Sequence, residues 1–225
     1  REIRFTEYLA YFLNPKNNHG LKGKFLKTLL NRECKQRGLN SDWYKDCKII
    51  SEFKLGEISE ENKTINCYGD IGIIGGNFII IVEHKILSTE SDHPDTELNQ
   101  LERYNLALKN NCNFNNKEQI KIYLAPEVSQ NKSAGDWISI THRELVERGI
   151  RLLDKRNLSN VARENLLRLL IDLSVGPYQI LEDSLKKLLY LGEKLKKEEF
   201  NLKRALKFEK LADRNEQIIK LLLEG

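Results

Sequence analysis

The stretch from Tyr68 to Lys85, Y-G-D-I-G-I-I-G-G-N-F-I-I-I-V-E-H-K, leaves this chain few choices of fold. Two apolar runs rich in isoleucine, Ile71 to Ile74 and Phe78 to Val82, flank Gly75-Gly76-Asn77, which is the turn chemistry of a tight β-hairpin. With Gly76 and Asn77 as the loop, Gly75 pairs with Phe78 and Asp70 falls opposite Glu83. Directly opposed residues have Cβ atoms about 4.5 to 5.5 Å apart, and like charges placed so repel. The pattern therefore predicts something positive between the two carboxylates. Lys85 lies two residues beyond Glu83, so the strand period aims its ammonium at the same place. Ile71, Ile73, Ile80 and Val82 are expected on one face, and Gly72, Ile74, Ile79 and Ile81 share the other with the charged trio. Both faces are largely apolar, as in a covered central strand pair.

A hard divalent cation such as Mg2+ is typically held by one or two carboxylates plus substrate phosphates, which makes Asp70 and Glu83 candidate metal ligands. The plainer alternative is a strand that ends at Asp70 and a surface ion pair between Glu83 and Lys85. Against it stand the four consecutive β-branched residues Ile79 to Val82, which put the charges where burial is deep and an unsatisfied carboxylate is expensive. His84 points away from Glu83 and reads as a core histidine.

Asp70, the hairpin, Glu83-His84-Lys85 and then Gln100-Leu101-Glu102-Arg103-Tyr104 resemble the PD-(D/E)XK nuclease superfamily, in the branch with a Q-x-x-x-Y motif on the next helix. Glu7 to Pro15, with His19-Gly20 and Phe25-Leu26, looks like the opening of one subfamily of that group. The likeness runs in order from about residue 5 to about residue 145, with Gly69 in place of the proline before the aspartate. It implies an α/β, restriction-endonuclease-like core of helix, three strands, helix and strand around a mixed central sheet. It also implies a magnesium-dependent nuclease that hydrolyses phosphodiester bonds, foremost in DNA, with Mn2+ able to substitute.

By that resemblance the catalytic set is Asp70, Glu83, Lys85, Gln100 and Glu7, with Asp70 and Glu83 on the metal and the His84 carbonyl as a further ligand. Lys85 positions or polarises the attacking water, Gln100 orients Lys85 or the nucleophile, and Tyr104 touches phosphate. Gln100 and Tyr104, four apart, share one helix face, while Arg103 is turned off it. Glu7 is either the carboxylate that first helices of the group supply or a solvent-facing glutamate. Glu52, at the end of the first strand, sits near the metal site or on the surface, and the surface is the simpler expectation. The competing class is a nucleic-acid-binding or interaction protein that keeps the fold without cutting, although a retired site has no physical need for opposed carboxylates.

A chain of 225 residues with 40% hydrophobic and 31% charged residues can bury a proper core. No apolar run reaches a membrane span and no signal-peptide pattern opens the chain, so a cytoplasmic, non-membrane protein is expected. The net charge of +4, from 37 basic and 33 acidic residues, permits a nucleic-acid partner without demanding one. Cys34, Cys47, Cys67 and Cys112 lack metal-site spacing and read as reduced thiols. Oligomeric state is open, a homodimer included.

Around the hairpin, apolar spacing predicts helices over Ile3 to Leu13 and Leu21 to Arg37, with His19 structural between them. A first strand is expected over Cys47 to Lys54, then a polar, mobile loop at Glu57 to Lys63. Pro94 should open a helix that runs to about Asn110. Strands at Gln119 to Leu124 and Trp137 to Ile140 precede a capping box at Thr141 and Glu144, which starts a helix to about Lys155. The division is a nuclease-like core over 1–156 and a C-terminal helical extension over 157–225 packed on it, with helices at 158–173, 178–197 and 200–223. The basic run beginning at Lys194 is interleaved with glutamates and reads as a solvated surface.

Overall fold

Strand alternation and helix caps set most element borders. The computed structural model describes residues 2–60, 63–85, 98–126, 135–154, 158–175 and 181–197. Helices α1 (Glu2–Leu13) and α2 (Lys24–Gln36) precede strands β1 (Lys48–Glu60), β2 (Lys63–Ile74) and β3 (Phe78–His84). Then come α3 (Gln100–Asn110), β4 (Glu118–Ala125), β5 (Ile138–Thr141), α4 (His142–Leu153), α5 (Asn160–Ser174) and α6 (Glu182–Lys197). One sheet has the order β1-β2-β3-β4-β5, antiparallel through β3 and parallel from β3 to β5. This is the mixed α/β architecture expected of a restriction-endonuclease-like fold.

The parallel part of a sheet needs cover on both faces. On one face Ile71, Ile73, Ile80 and Val82 join a large core with residues of α1, α2, α4, α5 and α6. On the other, Ile79 and Ile81 pack beneath α3 with Leu101, Tyr104, Ala107 and Leu108. The alternation of Ile71 to Val82 into two faces therefore holds. α3 lies close on β1, where a Cβ on Gly56 would come within 2.7 Å of the Ala107 carbonyl oxygen and φ is +152°. Asn111 Nδ2 donates to the Leu55 carbonyl at 2.7 Å and fastens the end of the same helix.

Two expectations need correction. The residues of the expected loop that are described, 57–60 and 63, are strand: Glu57 pairs with Asn66, Ile58 with Ile65, Ser59 with Thr64 and Glu60 with Lys63. Ile58 and Cys67 are buried on one side of this ribbon, which gives it a reason to form. The helix expected from Pro94 begins instead at Gln100. Asn99 is extended, accepts the Glu102 N–H at 3.0 Å, and donates its own N–H to the Glu102 carboxylate at 3.0 Å. Pro94 itself, and the segment 198–225 with its expected last helix, lie outside the described residues. The capping box at Thr141 and Glu144 is present as read.

Candidate metal centre

The hairpin register is as counted from its turn: Ile74 pairs with Ile79, Ile73 with Ile80, Gly72 with Ile81 and Ile71 with Val82. The β2–β3 ladder stops there, one pair short of Asp70 and Glu83. Asp70 Oδ2 instead accepts the backbone N–H of His84 at 2.7 Å. Side-chain faces explain the change. In β2, Ile74 borders the α3 cluster on one side of Asp70, whereas Cys67 and Ile65 reach it on the other side, so the even and odd positions have exchanged faces. β1 exchanges in the same way between Ile50 and Phe53. The residue between them is Glu52, whose slot lies across from Asp70 and whose φ of 49° is left-handed. Both strands reverse sides where Asp70 leaves the ladder, at the point where β3 ends and the β1–β2 ribbon runs on alone.

Glu83 is 1% exposed on the α3 face. Its Oε1 lies 2.6 Å from Lys85 Nζ, which also donates to Gln100 Oε1 at 2.8 Å, and Gln100 Nε2 donates to the Tyr104 hydroxyl at 2.7 Å. Lys85 thus lies against Glu83, and α3 holds it through Gln100. Tyr104 is near enough to ease the Glu83 carboxyl a little, but Glu83 Oε2 is buried without a hydrogen-bond partner. Burial first, and the Asp70 charge second, push the Glu83 carboxyl up to about 7 despite Lys85. Burial and the Glu83 charge likewise raise the Tyr104 phenol, so it stays protonated.

His84 turns its ring to the opposite face, as expected of a core histidine. Nδ1 is 3.2 Å from Thr6 Oγ1 and Nε2 is 3.1 Å from His142 Nε2. Burial holds His142 down to about 4 and His84 well below the usual range, so both rings are neutral. The sequence reading did not find His142; its signal was a place in the Thr141 capping box, which points to the helix start and not to a histidine partner.

The other candidates fall outside this network. Glu7 is exposed on α1, and among the described residues no hydrogen bond or ion pair ties it to Asp70 or Glu83. Glu52 is exposed and lies within β1, not at its end. His19 is buried, accepts the Leu21 N–H at 3.0 Å, stacks on Phe12 and is structural. Arg103 is buried and donates to the Leu98 carbonyl at 2.8 Å, so it is not the loose neighbour its position suggested.

A family model of the PD-(D/E)XK nuclease superfamily matches residues 1–199. The chain belongs to the PD-(D/E)XK nuclease superfamily. No curated protein and no solved structure matches it significantly. The family match extends through α5 and α6, which share the large core with α1 and α2. Nucleases of this superfamily typically use divalent metals. Among the described residues no three His, Cys, Asp or Glu side chains enclose an ion by themselves. The Asp70 and Glu83 pair fits a cation that takes its remaining oxygens from water and phosphate, because the two carboxyls are close enough for the Asp70 charge to raise Glu83 and Glu83 Oε2 is left without a hydrogen bond. No helix among the described residues is long and apolar enough to cross a membrane.

Proposed function

We propose that this chain is a magnesium-dependent nuclease that cleaves phosphodiester bonds in DNA, with Mn2+ able to substitute. The observation that carries the proposal is the buried, unpartnered Glu83 Oε2 beside Asp70 and the Lys85–Gln100–Tyr104 chain. Asp70 and Glu83 would hold the ion, which supplies charge neutralisation at the phosphate and a more acidic bound water. Lys85, anchored by Glu83 and Gln100, presents its ammonium to the attacking water or the phosphate. Gln100 fixes that ammonium in place, so its role is positioning. Tyr104, protonated and mostly buried, keeps Gln100 aimed and offers a hydroxyl on the phosphate side. Asp70 is oriented by the His84 N–H, which donates to its Oδ2.

The test is incubation of the purified protein with supercoiled and linear DNA in magnesium, in manganese and in chelator. Cleavage is expected with either metal and not in chelator. Lys85→Ala should abolish cleavage while leaving DNA affinity nearly intact, because it removes a contact made to the reacting atoms, and it should lower Tm because it also leaves the buried Glu83 without its ion-pair partner. A Lys85→Ala protein that still cuts at the wild-type rate would sink the assignment.

A further inference from the structure

The outer side of α2 carries charge of one sign. Its exposed and half-buried polar positions are Lys24, Lys27, Thr28, Asn31, Arg32 and Lys35, with Gln36 at the end. At 3.6 residues per turn the first six fall within about 140° of the helix circumference, and Lys24 to Lys35 spans about 16 Å of its length. The only acid of the helix, Glu33, is turned the other way, 3% exposed and held by both terminal nitrogens of Arg148 at 3.1 and 2.9 Å. By contrast, α6 sets Glu182, Asp183 and Glu193 among its lysines. The chain's positive charge is concentrated around α2. Residues 16–48 carry nine basic and three acidic side chains, a net of +6, so the rest of a +4 chain is net −2. Asp42, near enough to Lys27 to feel its charge, is already paired with Lys45 at 2.9 Å. The lysines do not serve the helix itself, which has no acid in its first turn, where cations oppose the helix dipole.

We infer that this side of α2 is a second DNA contact, in which Lys24, Lys27, Arg32 and Lys35 hold the phosphate backbone apart from the metal centre. The inference rests on the nuclease reading for its choice of polyanion, and adds where the polymer is held away from the reacting phosphate. A stripe of about 16 Å matches about five phosphates of one strand, and Thr28 and Asn31 between the cations offer uncharged donors to phosphate oxygens. α2 packs into the large core, whereas Glu83 and Lys85 meet α3 on the other face of the sheet, so the two contacts are separate. An anionic membrane would suit the charge but would find no apolar side chains to take up. Phe25, Leu26, Leu29 and Leu30 are buried, and none of the exposed large apolar side chains among the described residues lies on α2. Contacts of this kind read no sequence and are weakened by salt.

The experiment follows fluorescence anisotropy of a labelled DNA duplex in chelator, so that neither cleavage nor bound metal contributes. It compares wild type with the double variant Arg32→Gln/Lys35→Gln and, for an equal loss of charge, with Lys186→Gln/Lys187→Gln on α6. All four side chains are exposed, so Tm should stay near wild type. The α2 pair should weaken binding about ten-fold at low salt, by a similar factor on unrelated sequences, and flatten the slope of log K against log salt by about 2. The α6 pair should change affinity less than about two-fold. In manganese the α2 pair should raise KM for the same duplex and leave kcat near wild type. Equal losses from the two pairs, or no loss from the α2 pair, overturn the inference and leave the nuclease reading untouched. If wild type binds DNA through Arg32 and Lys35 but cuts nothing, the cleavage assignment fails and the contact stands. Co-sedimentation with vesicles of phosphatidylcholine and phosphatidylserine completes the test. Pelleting that needs Arg32 and Lys35, without DNA binding that needs them, assigns the face to a membrane and refutes the inference.

Discussion

Glu83→Gln should stabilise the metal-free protein, and the gain should grow with pH. The Glu83 carboxyl is raised from 4.5 to about 7 in the folded chain, chiefly by burial, which corresponds to about 3 kcal/mol. The sign follows from proton counting. Between pH 4.5 and about 7 the folded state holds a proton on Glu83 that the unfolded state has lost, so stability falls as pH rises and the full penalty is present above about 7. Glutamine keeps an oxygen for Lys85 Nζ and cannot ionise. Other buried groups titrate in the same range. His142, held down to about 4, contributes stability above its ordinary 6.5 that is lost as pH falls, and Asp172, pushed up to about 6 by burial, acts in the same direction as Glu83. These contributions are common to both proteins and cancel in the difference. For a chain of this size about 3 kcal/mol corresponds to roughly 6 to 12 °C in Tm, an upper bound because Lys85 loses a charged partner. Thermal melts in chelator from pH 4.5 to 8.5 should show the Tm gap, variant minus wild type, opening up to about pH 7 and then levelling. Millimolar Mn2+ should close it by stabilising wild type alone. A gap that does not change with pH, or that narrows as pH rises, refutes the account of Glu83.

The remaining predictions concern Asp70 and α3. Millimolar magnesium or manganese should raise the wild-type Tm by linkage, and Asp70→Asn, which keeps an oxygen for the His84 N–H, should fold normally but lose the rise; an undiminished rise would remove Asp70 from the metal. In single-turnover cleavage Gln100→Ala should slow the chemical step about ten- to hundred-fold by releasing Lys85. Tyr104→Phe should act mainly on DNA affinity, and its residual effect on rate should vanish when combined with Gln100→Ala, since the two side chains form one network. Lys109→Ala, exposed on α3, is the control in place of the buried Arg103; a silent Gln100→Ala would mean that α3 does not set Lys85.

What could be read from the sequence is what local periodicity encodes. The turn at Gly76 and Asn77 sets a count, and the isoleucines on either side enforce it, so the register from Ile74–Ile79 to Ile71–Val82 followed without ambiguity. The pairing of Gln100 with Lys85 was legible only through the family motif, because nothing local orients a helix over a strand. The ribbon beyond Asp70 was hidden by its own irregularities. A register shift between Lys54 and Gly56 breaks the period of two in β1, so that Ile58 falls out of step with Phe53 and Leu55. The Asn99 and Glu102 cap was in plain sight but lost to Pro94, a stronger signal for a helix start. The left-handed Glu52 had no signal at all, since glutamate is not a residue that marks positive φ.

His84 shows why the short motif alone could not describe the site. Read as the variable position between Glu83 and Lys85, it is a core residue with no claim on chemistry. Yet its N–H orients Asp70, while its ring is joined to Thr6 on α1 and His142 on α4, partners 78 and 58 residues away in the chain. Because neighbouring side chains on a strand alternate, anchoring the ring on the large-core face also settles how Glu83 and Lys85 present themselves on the other. Both histidines being neutral, the clamp adds no charge behind the carboxylates. The geometry of the two carboxylates is thus determined from the far side of the sheet, by helices at the beginning of the chain and after β5. A match confined to the hairpin and α3 would contain every residue of the candidate centre and still omit what holds it in place.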